Sequence, residues 1–203
     1  HGRTVCGRYR AGSALAPVVS CAGGGNRCWW QAGAISRLLE TGRSLPRHWV
    51  GTSAGAAIAA ACLTTGPEVA LAACRRLYAG TTRIFAWQGL RRGRIEFAHQ
   101  TIYPAWLDAF FNDATFGQLR SCGASLQVAV TRPSRILGLG ISVALGTLAY
   151  IVDKKSSHGI HPRLPKWLGL RQEFLHLAQC RSAEAAQDLL NLGAKAVVLK
   201  GGH

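Results

Sequence analysis

The 203-residue sequence has no methionine, no C-x-x-C pair and only nine acidic residues against 24 basic ones. Because its seven cysteines form no such pair, the sequence predicts neither a structural zinc site nor a disulfide framework, and it fits a reducing compartment. Charged residues make up 16% and apolar residues 48%, a balance that excludes disorder for most of the chain. The length predicts a single α/β-sized core.

The chain begins at His1 and has no charged segment followed by an apolar leader. Since methionine is absent as well, we expect a fragment or a processed piece, and we expect no secretory signal. These features together favour a cytoplasmic protein that can contact membranes peripherally.

The net charge is +15, and 19 of the 24 cations are arginine, spread over the whole length. Such scatter is typical of biased composition and a solvated surface. The densest stretch runs from Arg83 to Arg94 and includes Phe85 and Trp87, a mixture that suits an anionic lipid surface or nucleic acid. Nucleic-acid binding has no support beyond this charge, so we do not expect it.

Two consecutive segments each predict a strand, a glycine turn and a helix. The first has a strand over Leu15 to Cys21 and a helix from Trp29 to Leu39. The second has a strand ending at Trp49-Val50 and a small-residue helix over Ala56 to Leu63. Two such units in succession indicate an α/β fold with a parallel sheet.

The remainder of the chain predicts three further helices, one strand and one long apolar run. The helices are expected over Glu68 to Tyr78, Ala98 to Phe111 and Gln172 to Ala186, and the strand over Ser125 to Val130. Ile136 to Val152 contains 17 residues without a charge, at the lower limit for a bilayer span, and its glycines argue against one. A buried element and a membrane-dipping surface loop both remain open.

Gly51-Thr52-Ser53-Ala54-Gly55 fits the G-x-S-x-G pattern of a nucleophile elbow. Small flanking residues allow a sharp turn from strand to helix that holds the serine hydroxyl exposed at the helix N-terminus. The positive end of the helix favours a serine alkoxide and the oxyanion that follows. Ser53 is therefore the candidate nucleophile, and an ordinary glycine turn is the alternative.

Gly23-Gly24-Gly25-Asn26-Arg27 forms a second glycine loop whose amides can point freely. Amides aimed at a tetrahedral oxyanion stabilise it by about 3 to 4 kcal/mol, so this loop and the amide of Ala54 are candidates for an oxyanion hole. A phosphate-binding loop is disfavoured because Arg27-Cys28 occupies positions where the nucleotide motifs need glycine or lysine. A plain turn is the other alternative.

These two motifs, in this order, resemble the patatin-like phospholipase family. The similarity extends from about Val18 to Arg181, and it includes Phe97-Ala98-His99-Gln100, Ile102 to Leu107, Ala149-Tyr150, His161 to Pro165 and Leu168 to Arg171 with Glu173-Phe174. One departure is Cys28, which stands where the family has a glycine after the arginine of the oxyanion loop.

The resemblance implies a three-layer α/β/α hydrolase fold with a mainly parallel sheet, and a patatin-like domain over residues 15–181. It implies a Ser-Asp dyad acting on acyl esters of lipids, with Ser53 as nucleophile, residues 23–27 in the oxyanion hole, and neither cofactor nor metal. Since the dyad needs no histidine, five histidines are expected to be ordinary surface or core residues: His48, His99, His158, His161 and His176.

The catalytic aspartate of the implied dyad has no matching position. The family places it in an Asp-Gly-Gly or Asp-Gly-Ala motif, but none of Asp108, Asp113, Asp153 and Asp188 is followed by such a pair. The C-terminal Gly201-Gly202 is preceded by Lys200 instead. The domain is therefore expected to be incomplete at its C-terminus, and a catalytically inactive protein that binds anionic membranes is the alternative to a lipid acyl hydrolase.

Residues 182–203 form a tail that reads as a helix, a stop at Gly193 and a strand from Ala196 to Leu199. This segment resembles part of the hydroxymethylpyrimidine kinases of the ribokinase-like fold. It begins where the patatin-like similarity fades, so we expect a spliced or artificial chain end.

Overall fold

The computed structural model of the chain describes residues 18–80, 85–86, 96–132 and 171–197, together with 134, 136–138, 141, 142, 144, 145 and 148. Most of the basic stretch from Arg83 to Arg94 lies outside these residues, as do the first three residues of the strand expected from Leu15. Asp153 and Lys200 also lie outside them.

The described residues form a mixed α/β fold. The strands are β1 (Val18–Cys21), β2 (His48–Gly51), β3 (Phe85–Ala86), β4 (Glu96–Phe97), β5 (Ser125–Arg132) and β6 (Arg171–His176). The helices of the described residues include α1 (Trp29–Glu40), α2 (Ala54–Leu63), α3 (Pro67–Ala79), α4 (Ala98–Phe110), α5 (Asp113–Ser121) and α6 (Ala183–Val197), and short 3-10 turns cover Gly25–Cys28 and Leu177–Gln179.

Four of these strands form one sheet in the order β1-β2-β5-β6. β1, β2 and β5 are parallel, with Cys21, Gly51 and Val128 in register, whereas β6 is antiparallel to β5. β3 and β4 form a separate antiparallel pair. The mostly parallel sheet with helices around it agrees with the expected α/β/α hydrolase fold. The parallel strands bring the residues after β1 and after β2 to the same edge, which we call the carboxyl edge.

The helix expected over Gln172 to Ala186 is wrong in its first half. Residues 171–176 form β6, which pairs with β5 along six positions from Gln127 to Arg132. The helical pattern there is weak, and hydrogen bonding to a neighbouring strand overrides local propensity. α6 begins only at Ala183, after the 3-10 turn.

Two further differences from the sequence prediction concern helices. α6 continues through Gly193 to Val197, so the expected stop is wrong and Ala196 is helical. α5 was not predicted at all. It begins with a capping box in which the Asn112 side chain accepts from the Thr115 amide and the Thr115 hydroxyl accepts from the Asn112 amide. This Asn-x-x-Thr spacing is the signal that could have identified α5.

The core is built around α2, in which every residue is buried. Its alanines allow close approach to the three parallel strands and to α1, α3 and α6. The aromatic helix α4 packs on the same core, as expected, and Trp106 Nε1 donates to Ala70 O at 2.8 Å. α6 joins the core through Ala186 and Leu190, which have no exposed surface.

Candidate active site

The chain turns sharply at Ser53, between β2 and α2. Ser53 has φ 55° and ψ −134°, and it is the one non-glycine residue with positive φ among those described. Such a conformation costs an ordinary residue about 1 to 3 kcal/mol, so the surrounding structure must impose it.

Close backbone packing imposes the turn. A Cβ atom added to Gly55 would lie 2.5 Å from Ala22 O, and one added to Gly51 would lie 2.8 Å from Ala56 N. Real Cβ atoms do not approach backbone atoms so closely. Only glycine therefore fits at these two positions of the G-x-S-x-G sequence.

Ser53 caps the N-terminus of α2 with its carbonyl oxygen, which accepts from Ala56 N at 2.8 Å. The next residue, Ala54, is the first of the helix, so its amide belongs to the positive helix end. The Ser53 residue is only 6% exposed, although the pattern predicted an exposed hydroxyl. The neighbouring glycine loop contributes to this burial.

The glycine loop touches the elbow directly. Thr52 N donates to Cys21 O at 3.1 Å, which ties the turn to the end of β1. A Cβ atom added to Gly23 would lie 3.2 Å from Ser53 Cβ. The structure thus brings together two motifs that are about thirty residues apart in the sequence.

Within that loop, Gly24 and Gly25 have φ values of 156° and 58°. At these φ values the successive N–H groups do not continue the hydrogen-bonding direction of β1. They are therefore available as donors to a bound group. Arg27 is exposed, and its amide donates to Gly24 O at 3.3 Å to close the turn.

Gln31 on α1 holds the base of the loop, and it belongs to none of the motifs that the sequence predicts. Its Nε2 donates to Ala22 O at 2.9 Å, and its Oε1 accepts from Ala22 N at 2.8 Å. Cys28 Sγ donates to the same Ala22 carbonyl at 3.2 Å. Gln31 is a polar residue on the buried face of α1 with Ala32 and Ile35, and that position is the signal that could have identified it.

The cysteines near the site are poor nucleophiles. Burial raises the pKa of Cys21 to about 11, with a smaller contribution from Cys28. Burial also raises the pKa of Cys28 above its ordinary value. Both thiols therefore stay protonated at neutral pH, and the thiolate that would react is not formed.

The described aspartates form no hydrogen bond with Ser53. Asp108 and Asp113 line a recess with Glu184 beside the start of α6, and Ser53 is not part of that lining. Asp188 is exposed on α6. The partner of Ser53 that the family resemblance implies is therefore not identified among the residues that the structure describes.

The two histidines whose side chains are described lie on strands. His48 Nδ1 is 2.9 Å from Ser125 Oγ, at the start of β2 and β5. His176 Nε2 is 2.9 Å from Gln127 Nε2. The start of β2 and the end of the antiparallel β6 lie toward the edge opposite to Ser53, so neither contact builds a Ser-His pair.

In the described part of the chain, no group of three or more His, Cys, Asp or Glu side chains could hold a metal ion. The helices in that same part include none that combines the length and the hydropathy needed to cross a bilayer.

Comparison with known proteins agrees with the resemblance seen in the sequence. A family model described as patatin-like phospholipase matches residues 19–154. No curated protein and no solved structure matches the chain. Because the family model covers more than half of the sequence, the chain belongs to the patatin-like phospholipase family, which assigns it at a coarse level to lipid acyl hydrolysis.

Proposed function

We propose that the chain hydrolyses acyl esters of lipids through an acyl-enzyme on Ser53. The observation that carries the proposal is the contact between the elbow and the glycine loop, in which Gly23 packs against Ser53 Cβ. A nucleophile beside a turn of free amides is the arrangement that acyl transfer needs, since attack and oxyanion stabilisation occur at adjacent atoms.

In this proposal Ser53 Oγ attacks the ester carbonyl carbon and transfers its proton to a base. The oxyanion accepts hydrogen bonds from amides around Gly24 and Gly25 and from Ala54. The bond to the alcohol then breaks, and the alcohol leaves with the proton. Water attacks the acyl-serine carbonyl in the same way, which releases the fatty acid and restores the hydroxyl.

Three residues of the sequence are candidates for the base that accepts the Ser53 proton. Family resemblance implies an aspartate, for which Asp153 and Asp188 are the candidates in this sequence. Lys200 is the third candidate, but it could accept a proton only if burial lowered its pKa from about 10.4.

A second candidate function is a catalytically inactive protein that binds anionic membranes. Two observations favour it: the sequence has no Asp-Gly-Gly or Asp-Gly-Ala, and its net charge is +15. A serine without its base loses most of its activation, whereas attraction to anionic lipid needs only exposed cations.

Fluorophosphonate labelling tests the two functions against each other. The purified chain is treated beside Ser53→Ala and a matched control, Ser36→Ala on α1, and the labelled peptide is mapped by mass spectrometry. We expect the chain and Ser36→Ala to be labelled at Ser53, and Ser53→Ala to be unlabelled and unable to hydrolyse a soluble short-chain ester. A folded chain without label would reject the hydrolase in favour of the inactive membrane binder.

A further inference from the structure

The apolar run that starts at Ile136 leaves the sheet at the same edge as Ser53. β5 is parallel to β2, with Val128 opposite Gly51, and it continues four residues further, to Arg132. At about 3.3 Å per residue, this extension carries the chain about 13 Å beyond the end of β2. The run therefore begins on the carboxyl edge, beyond the end of β2.

A set of hydrogen bonds fixes the start of this run. Ser134 Oγ accepts from the amides of Ile136 and Leu137 at 3.3 and 3.4 Å. Ser134 N donates to Ser142 Oγ at 3.1 Å, and the Ser142 hydroxyl donates to Gly138 O at 2.6 Å. Both serines are buried, so the polar groups of this segment point inward.

Three large apolar side chains of the same segment are exposed. Ile136 is 95% exposed, and Ile141 and Leu148 are 56% and 57% exposed. Residues 141, 142, 144, 145 and 148 are helical, and the exposed Ile141, Ala144 and Leu148 follow each other at intervals of three and four. Exposed apolar residues beside a buried serine reverse the pattern that is usual for a surface helix.

Exposed arginines lie at the carboxyl edge, where the apolar run begins. Arg27, Arg132 and Arg171 are exposed at the carboxyl edge, and only Arg132 has an ion pair in the described residues, with Glu173 at 2.7 Å. In the sequence, the segment from 133 to 170 carries five basic residues and one acidic residue, and its two flanking arginines, 132 and 171, are paired in the sheet. Exposed apolar residues with basic neighbours complement an anionic lipid surface.

We propose that Ile136, Ile141 and Leu148 form a docking face that inserts into an anionic lipid bilayer and presents the carboxyl edge, with Ser53, to the membrane. We call these three residues the docking face. This inference rests on the proposed lipid hydrolysis for its purpose, because a lipid ester in a bilayer must reach Ser53 from the membrane side. The binding itself requires no catalysis.

Vesicle co-sedimentation tests the docking face, with phosphatidylglycerol–phosphatidylcholine vesicles compared with pure phosphatidylcholine. The full chain should bind the anionic vesicles more strongly, and added salt should weaken this binding. Ile136→Ser with Ile141→Ser should reduce it about tenfold for each isoleucine replaced. The matched control is Leu38→Ser with Val69→Ser on α1 and α3, two residues of 42% and 44% exposure, and it should bind as the unmodified chain does.

Hydrogen exchange on the unmodified chain gives a second readout that needs no variant to fold. Anionic vesicles should protect peptides that cover residues 134–148. Absence of that protection, equal binding by the Ile136/Ile141 variant, or an effect confined to self-association of the chain would each overturn the proposal.

Hydrolysis of a soluble short-chain ester separates this inference from the proposed function. The Ile136/Ile141 variant should keep that hydrolysis and lose vesicle binding, whereas Ser53→Ala should do the opposite. If only the prediction of vesicle binding failed, the docking face would be rejected and Ser53 would stand as the nucleophile. If only the prediction of ester hydrolysis failed, the nucleophile would be rejected and the docking face would stand.

Discussion

Two glycine turns meet at Ser53, and different forces hold them. The elbow from Gly51 to Gly55 is fixed by backbone packing, because a Cβ on Gly55 would lie 2.5 Å from Ala22 O. The loop from Gly23 to Arg27 packs on the elbow at Gly23, but it is open at Gly25, where an added Cβ would meet no atom within 4 Å. Two side chains hold this loop instead: Gln31 on α1 and Cys28 at the end of the 3-10 turn that precedes α1.

The difference matches the two requirements of the proposed site, a fixed nucleophile and oriented oxyanion donors. A nucleophile must stand at one fixed point, and packing between a strand and a buried helix provides that rigidity. The N–H groups of an oxyanion hole need a defined orientation more than they need tight packing. Hydrogen bonds to the base of a loop can set that orientation while the tip of the loop stays accessible. The two turns should therefore respond differently to substitution.

The largest effect is expected from Gly55→Ala. The added methyl group meets backbone oxygens of β1 and the following residue, which can move only if the sheet moves, so we expect a loss of about 3 kcal/mol or more in the free energy of unfolding. Gly33→Ala is the matched control in α1, where nothing lies within 4 Å, and it should gain about 0.5 to 1 kcal/mol. Denaturant unfolding measures both, and equal stabilities would contradict the packing account.

A smaller effect on stability, but a specific one on activity, is expected from Gln31→Leu. The change leaves the Ala22 amide without a partner and leaves the Ala22 carbonyl only the Cys28 thiol, which should cost about 2 kcal/mol. Because the N–H groups of the loop would no longer be oriented toward the oxyanion, kcat should fall about tenfold or more with little change in KM.

Gln187→Leu provides the control for Gln31. Gln187 Nε2 also donates to a backbone carbonyl, that of Phe111 at 2.6 Å, but it does so on α6. This variant should lose about 1 to 2 kcal/mol of stability and keep its kcat. If the two variants had the same kcat, Gln31 would be a structural residue with no role in positioning the loop.

The same comparison explains what the sequence could and could not predict. The G-x-S-x-G pattern and the triple glycine are local, so they located both turns and the strand-turn-helix units around them. The hydrogen bonds between Gln31 and Ala22 join helix α1 to the end of β1, nine residues earlier. A motif of adjacent residues does not show which side chain will bond to which distant backbone group. β6 was missed for a similar reason, since its partner β5 is about forty residues earlier. The patatin-like resemblance was confirmed, and the kinase-like resemblance of the tail stays a prediction.

The smallest effect concerns the strain at Ser53. At φ 55° and ψ −134° a glycine is relaxed whereas serine and alanine are not. Replacing Ser53 by glycine should therefore give a protein about 1 kcal/mol more stable than Ser53→Ala, after allowance for the greater entropy of glycine in the unfolded chain. Both variants lack the hydroxyl, so both should be inactive, and the comparison isolates the backbone. Thermal and denaturant unfolding of the pair measures the difference. A glycine variant less stable than the alanine variant would mean that the elbow is not strained, and that packing against Gly55 alone selects its conformation.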